Sequence, residues 1–570
     1  MDFKAYVARE IASALEVVFG ERSLSTLEIA EAIEIPPEPA LGDYAFPCFK
    51  LAKALRKAPP AIADALAGAI DAEFLQEVQS VKGYLNFYID RVIYAREVLG
   101  EVLSLGANYG GGDEGAGKVI CIDYSAVNIA KRFHFGHLST TMIGNALYKL
   151  YSFRGYKCEG INHLGDWGIQ FGQLLTAYKR WGDEATVEKN GIDELTALYV
   201  RFNREAQSDE SLTAESRAWF KKIEDGDPEA FAIFEWFKAI TMREVNKTYD
   251  LLGVTFDSYA GESFYSDKMD AVVDELREKG LLVESQGAYI VDLEAYEMPP
   301  CLILKRDGAT LYATRDLAAA IYRKKTYDFH KCLYVVAYQQ DLHFRQVFKV
   351  LELMGYEWAK DCVHVNFGWV SFEGEGLSTR SGKTVSLDEV LEKSIEKALA
   401  VIGEKSPGLE NKEEIAKQVG VGATVFFDLY NNRIKDIDFR WDRALNFDGE
   451  TGPYAQYTHA RACSVLRKAE LPHGTAPDYT ALAGAEAQNV VRSLSLFPSV
   501  VQDAVERNEP SLVTRYVIDL CQMFNRFYYE CRILDDDIRA RAAKLELTAA
   551  ARQVIETGLT LIGVAAPERM

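Results

Sequence analysis

The stretch from residue 106 to residue 163 constrains the fold of this chain more than any other. It opens with GANYGGGDEGAG (106–117) and continues through KVICIDY (118–124), HLSTTMIGNALYKLYSF (137–153) and YKCEGINH (156–163). KVICIDY is a short apolar run with β-branched residues, the middle segment repeats its apolar positions at helical spacing, and the last begins a second extended run. Strand, helix and strand within about 45 residues make a βαβ unit, because parallel strands need a crossover of that kind. The sheet so built is covered by helices.

The glycine-rich segment 106–117 has few side chains that pack, so it reads as a linker after a first domain of residues 1–105. Residues 170–255 are rich in helix formers and charge and suit a helical insertion. Sheet signals return in CLILKRDGATLY (301–312), read as a hairpin around Asp307-Gly308, in CLYVVAY (332–338) and in CVHVNFGWV (362–370). From residue 386 to the end the pattern is almost wholly helical. The expected fold is therefore α/β: a parallel-sheet domain over 118–385 with its insertion, a small α+β domain before it, and an all-α domain over 386–570.

Composition narrows the function classes. The formal charge of −21 opposes non-specific attraction to nucleic acid, which is driven by lysine and arginine displacing phosphate counterions. An RNA partner would be met by local patches such as YRKKTYDFHK (322–331), NNRIKDIDFRWDR (431–443) or HARACSVLRK (459–468). The N-terminal MDFKAYVAREIASALEVVFG has helical periodicity with Gly20 placed to end it, unlike a signal peptide. No apolar run approaches the roughly 20 residues needed to span a bilayer, so a cytoplasmic protein is expected. The nine cysteines are dispersed and never form CxxC, which indicates neither a disulfide framework nor a zinc ribbon.

The chemistry concentrates in NIAKRFHFGHLSTT (128–141). His134, Gly136 and His137 fall where the first strand hands over to its helix, at the crest of the sheet where ligands of α/β folds bind and helix amides face anions. Imidazoles there can donate hydrogen bonds to phosphoryl oxygens, Gly136 lets a flat ring approach the backbone, and Lys131 adds a point charge. Two other readings stay open on the residues alone: zinc ligation, although no companion Cys/His cluster lies nearby, and simple helix capping.

The wider stretch DYSAVNIAKRFHFGHLSTTMIGNAL with NHLGDWGIQFGQLL resembles the class I aminoacyl-tRNA synthetases and, among them, the arginyl-tRNA synthetase family. YDLLGVTFDSYAGESFY (249–265), TLYATRDLAAAIYR (310–323), YQQDLHFRQ (338–346), LSTRSGKTVSLDEVL (377–391), the long block 428–469 and the terminal APERM follow in that family's order. The resemblance implies a Rossmann-like catalytic domain, an N-terminal tRNA-contacting domain and a C-terminal anticodon-binding domain. It implies ATP-dependent activation of L-arginine and transfer to the 3′-terminal adenosine of tRNA(Arg), with Mg2+ accompanying ATP. Neither DNA nor membrane is an expected partner, and the chain is expected as a monomer.

The same resemblance assigns roles. His134, His137 and Lys131 are the expected catalytic groups. ATP would meet His134, Gly136 and His137 together with Ser378, Thr379 and Arg380. Arginine would meet Asp123, Asn128, Tyr312, Asp316 and Gln340, with the two aspartates holding the guanidinium. Tyr312 and Asp316 are four apart and share a face if a helix begins there. Tyr84 and Asn86 in GYLNFYID would contact the outer corner of the tRNA, and Tyr454, Gln456, Tyr457, His459 and Arg461 would lie at the entry to the anticodon-binding helices. His163, Asp166 and Trp167 are adenylate contacts of lesser weight, and Glu262 and Ser263 are expected only to line the site. The chain departs from the family in GLSTRSGK (376–383), which lacks both lysines of the Lys-Met-Ser-Lys loop, and in Val127, Ser139 and Asn145. A class I enzyme for another amino acid and a catalytically silent RNA-binding relative are the rival readings.

Overall fold

The structure, a computed structural model, describes residues 3–570 apart from 21, 22, 37, 307–310 and 377–384. It divides into two compact units, one of residues 1–109, 461–497 and 519–555, the other of residues 110–460, 498–518 and 556–570.

The larger unit is organised by a four-stranded parallel sheet. Its strands are β1 (Val119–Asp123), β2 (Lys157–Ile161), β3 (Lys331–Tyr334) and β4 (Cys362–His364), in the spatial order β4-β3-β1-β2. β1 and β2 are joined through helix α1 (Leu138–Phe153), as the βαβ pattern predicts. Helix α2 (Tyr312–Tyr327) leads into β3, and helix α3 (Asp341–Leu353) connects β3 to β4. Buried on both faces, β1 is apolar throughout its centre, with Ile120, Cys121 and Ile122 fully covered. The register sets the free thiols of Cys121, Cys332 and Cys362 side by side across three strands.

Between β2 and β3 the chain makes five successive helices from Ile169 to Leu252, in the region read as a helical insertion. An antiparallel sheet of Leu282–Ser285, Ala288–Val291 and Cys301–Leu304 follows. The turn of the expected hairpin at Asp307-Gly308 lies outside the described residues. Tyr312, the last residue of the expected second arm, already opens α2, and Cys301–Leu304 pairs with Ala288–Val291.

Two further expectations are corrected. CVHVNFGWV is not one strand: β4 ends at His364, and Val370–Phe372 pairs elsewhere, in parallel with Ile437–Phe439. That second partner lies in the region read as wholly helical. Phe439 explains it, since its ring packs against Phe372 at 5.6 Å and Phe135 at 5.1 Å, an aromatic cluster that only an extended segment delivers.

In the smaller unit a helix over Phe3–Phe19, ending at Gly20 as predicted, packs on the helices Thr26–Ala32 and Pro59–Ala67, and the latter lies against a three-stranded antiparallel sheet whose central strand is Tyr84–Ile89. This N-terminal region is joined by helical segments from 461–497 and 519–555. Tyr94 bonds Ser495 at 2.7 Å, Gln488 donates to the Arg91 carbonyl and Arg492 to that of Pro36. The segment 106–117 is not a bare linker. Tyr109 is buried, stacks on Phe497 and donates to the Leu494 carbonyl. Gly115 is required by close packing, because a Cβ there would lie 2.3 Å from the backbone nitrogen of Tyr156.

Among the described residues no helix is long and apolar enough to cross a membrane.

Candidate active site

The turn from β1 to α1 is strained and heavily tied down. Ser125, Ala126 and Ala130 all have positive φ, at 72°, 43° and 60°, a conformation that costs non-glycine residues energy and persists only where neighbours enforce it. The neighbours are present. The Ser125 amide donates to Thr140 Oγ1, its hydroxyl bonds Thr141 and Tyr249, and the Ala130 amide donates to Thr241. Further on, the Phe135 amide donates to the Val385 carbonyl and that of Leu387 to Phe133, so the motif is laced to the chain just beyond residues 377–384. Phe135 itself is clamped by Phe372 and Phe439.

This scaffold presents His134 and His137 with ring centroids 3.8 Å apart, at the N-terminus of α1. Burial pulls His134 below the ordinary imidazole range, and the Lys131 charge adds to that. For His137, burial and the neighbouring His134 lower it to about 3. Both rings are therefore neutral near pH 7, each a donor at one nitrogen and an acceptor at the other. They border a cavity of about 250 Å³ with Gly136, Ser125 and Thr140 on the polar side. Val335, Val336, Phe367 and Trp369 make its apolar wall. Polar groups at one end and apolar walls at the other suit a nucleotide, with the phosphate at the helix terminus. Lys131 and Asn128 are exposed beside the turn.

The acidic part of the site does not match the expectation fully. Asp316 stands one turn inside α2, and Tyr312 begins that helix 68% exposed, so the two do share a face. Asp316 Oδ2 is 2.5 Å from His343 Nε2. Burial opposes its charge, but the His343 bond holds its carboxyl below the usual range. Asp123, by contrast, is spent internally. Its carboxylate lies 2.8 Å from the guanidinium of Arg323, whose side chain is 1% exposed. Arg323 in turn reaches His163 Nδ1 at 3.4 Å. The expectation that Asp123 grips a substrate guanidinium is thereby corrected: the chain's own arginine occupies it. Arg323 belonged to the candidate basic patch YRKKTYDFHK and is withdrawn from it by burial, while Lys325 and His330 stay exposed.

Glu262 is a further acid, and it feels the charge of Asp316. Burial, reinforced by Asp316 and Asp166, pushes its carboxyl up to about 7 despite an ion pair with Arg315 at 3.0 Å. Asp166 is fully buried, pairs with Lys238 and accepts from the amide and hydroxyl of Ser263, so it builds the wall rather than touching substrate. His163 is half-buried beside Tyr265, and desolvation holds its ring below the ordinary imidazole range. Gln340 is exposed, immediately before α3. His343 carried no signal beyond its place in YQQDLHFRQ.

The expected tRNA contacts divide by burial. Tyr84 is half-buried against the exposed Phe49, ring to ring at 5.5 Å. Asn86 is only 4% exposed in the central strand, which withdraws it from contact with a base. Gln456 and His459 are fully buried, and they hold the carbonyls of Ala565 and Pro567 at the C-terminus. Both are fold residues, a second correction. Tyr454 is half-buried and Tyr457 is 44% exposed. Arg461 lies over the rings of Tyr528 and Tyr529 at 5.1 and 5.2 Å. Ser378, Thr379 and Arg380 lie outside the described residues.

Comparison with known proteins agrees with this arrangement. Residues 99–441 match the family described as tRNA synthetases class I (R), catalytic domain. Residues 4–89 match the arginyl tRNA synthetase N terminal domain, and residues 455–570 the DALR anticodon binding domain. An arginine–tRNA ligase of Alkaliphilus metalliredigens is 53% identical over 570 residues, covering 100% of both chains. One from Clostridium beijerinckii is 52% identical over 571 residues, again covering 100% of each. Among solved structures, Thermus thermophilus arginyl-tRNA synthetase is similar at a TM-score of 0.76 and 26% identity, with 100% of each chain covered. That of Plasmodium falciparum reaches 0.81 at 21% identity, covering 100% of this chain and 99% of the other, a likeness of fold. Family matches over residues 4–89, 99–441 and 455–570 and likeness along the whole chain lead to one conclusion: the chain belongs to the arginyl-tRNA synthetase family of class I tRNA synthetases.

Proposed function

We propose that this chain is an arginine–tRNA ligase, which activates L-arginine with ATP and charges tRNA(Arg). In the first step an arginine carboxylate oxygen attacks the α-phosphorus of ATP, and pyrophosphate leaves. In the second the 2′-hydroxyl of the terminal adenosine attacks the adenylate's carbonyl carbon, and AMP leaves. The single observation that carries the reading is the neutral histidine pair fixed on a strained turn at the mouth of the nucleotide cavity.

Both steps are mainly positioning and electrostatics. Negative charge gathers on the phosphoryl oxygens as the first proceeds, and donors held there in advance lower the barrier. His134 and His137 supply those donors, with Lys131 as the cation beside them. The adenine lies against the apolar wall that includes Trp369. Asp316 meets the guanidinium, supported by its part-open carboxylate on the same helix face as Tyr312. Asn128, Tyr312 and Gln340 complete the amino-acid site, and Glu262, paired with Arg315, lines it. Tyr84, Tyr454, Tyr457 and Arg461 remain the proposed tRNA contacts. Residues 1–105 are proposed to contact tRNA, 118–385 to catalyse and 386–570 to hold the anticodon. Mg2+ enters as the counter-ion of ATP. The enzyme works as a cytoplasmic monomer.

Arginine-dependent exchange of pyrophosphate into ATP, with and without tRNA, tests the reading. Exchange with arginine but not with lysine or citrulline supports it. Exchange with another amino acid, or none in the presence of tRNA, overturns it. Asp316→Asn is expected to leave ATP binding intact and to reduce arginine use by roughly 10²-fold, as when a desolvated cation loses its paired charge.

A further inference from the structure

We propose that His343 is a positioning residue for the amino acid: it orients the Asp316 carboxylate toward the incoming guanidinium. The proposal rests on the assignment of Asp316 to the guanidinium.

The geometry is specific. His343 Nε2 lies 2.5 Å from Asp316 Oδ2, and the two side chains are 23% and 25% exposed, so the pair faces a part-open site rather than the core. His343 stands in the first turn of α3, three residues after Gln340. Its ring sits edge-on to Phe344 at 5.3 Å, and Phe344 is itself packed on Tyr334 and His364. These contacts fix the imidazole in front of the carboxylate.

The surrounding charges are already committed. On α2, Arg323 is engaged by Asp123 and Arg315 by Glu262. On α3 and β4, Asp341 pairs with His364 at 2.9 Å. From the strand Cys301–Leu304, the Cys301 thiol is pushed up to about 12 by burial and by Asp316, and stays neutral. His163, which also senses Asp316, is held below the ordinary imidazole range by desolvation. His343 is thus the side chain hydrogen-bonded to Asp316 that is left to orient it.

His343 Nε2, as the donor, gives one hydrogen bond to Oδ2 and leaves Oδ1 and a lone pair of Oδ2 for the planar fork of the substrate. The reacting carboxylate and phosphate of the substrates lie elsewhere, so the effect falls on arginine's KM and not on kcat.

The test measures arginine-dependent exchange with tRNA present for the unmodified enzyme, His343→Ala, His343→Gln and Asp316→Asn. His343→Ala is expected to raise the arginine KM about 10-fold or more, the scale for losing a hydrogen bond to a charged group, with kcat and the ATP KM little changed. His343→Gln, which keeps a donor nitrogen, restores most of that loss. An unchanged KM in His343→Ala, a parallel loss of kcat and ATP binding, or a KM in His343→Gln as high as in His343→Ala overturns the proposal. Should His343→Ala fail to fold, His343→Leu, which fills the same space without a donor, takes its place in the comparison. A normal arginine KM in Asp316→Asn would instead refute the assignment beneath the proposal, while loss there with a normal His343→Ala refutes the proposal alone.

Discussion

Replacing Arg323 by methionine strips the cation from an ion pair closed off from water, with side chains 1% and 9% exposed at 2.8 Å. Were the pair on the surface, the loss would be under about 1 kcal/mol. Because it is buried, the orphaned Asp123 carboxylate keeps its desolvation cost without its partner, and about 3–5 kcal/mol of stability is expected to go. Asp123→Leu alone orphans the guanidinium and costs a similar amount. The double variant Asp123→Leu/Arg323→Met removes both charges and replaces them with apolar groups, so it recovers at least about 2 kcal/mol of the summed losses. Denaturant unfolding of the four proteins, followed by the fluorescence of tryptophans, measures the cycle. Exchange kinetics add the functional half: Asp123→Asn is expected to change the arginine KM by no more than a few-fold, against roughly 10²-fold for Asp316→Asn. A coupling energy near zero would show that the pair is not a unit. An arginine KM raised as much in Asp123→Asn as in Asp316→Asn, with stability intact, would restore Asp123 to the substrate and refute the structural assignment.

His137→Ala removes a donor proposed to act on charge that develops in the transition state, so kcat for exchange is expected to fall about 10²–10³-fold with a much smaller change in the arginine KM; equal losses would point to a structural part. Gly144→Ala sets two effects against each other. Helix propensity favours alanine by about 1 kcal/mol, but the new Cβ would lie 2.2 Å from Cγ of Tyr124, a buried ring tethered by its hydroxyl to the Thr255 carbonyl. Overpacking of about 1–3 kcal/mol or more wins, and both the melting temperature and exchange activity drop; an unchanged melting temperature would contradict the packing. Asp428 is a buried carboxyl on Lys412–Tyr430 that accepts from Ser139, and burial raises it to about 7. An acid raised on folding binds more protons in the folded state between about pH 4 and 7, so its contribution is present in acid and lost as pH rises through about 7. Asp428→Asn is therefore expected to raise the melting temperature at about pH 8 and to have little effect near pH 4, read by thermal scans at both; a lowered value at alkaline pH would contradict the assignment.

What local pattern could carry, the sequence determined by itself. The β1-α1-β2 unit was legible because apolar periodicity and the strand-to-helix handover lie within one short stretch. His134, Gly136 and His137 could be placed at the sheet's crest for the same reason, and Tyr312 and Asp316 on one helix face by their spacing. Family membership followed from the order of the motifs. Pairing and burial, by contrast, are settled by residues far away in the chain. Asp123 looks available until the fold brings Arg323 against it from 200 positions on. Asn86 alternates like any strand residue, yet it lies in the central strand of its sheet and is almost wholly buried. Gln456 and His459 sit in a stretch rich in polar groups, but the C-terminal carbonyls close over them. Glu262 and His343 gain their meaning only from Asp316, which the packing of α2 and α3 brings to them. Charge and exposure at this site belong to neighbours that no window of sequence contains, because desolvation depends on everything packed around a group and not on its place in the chain.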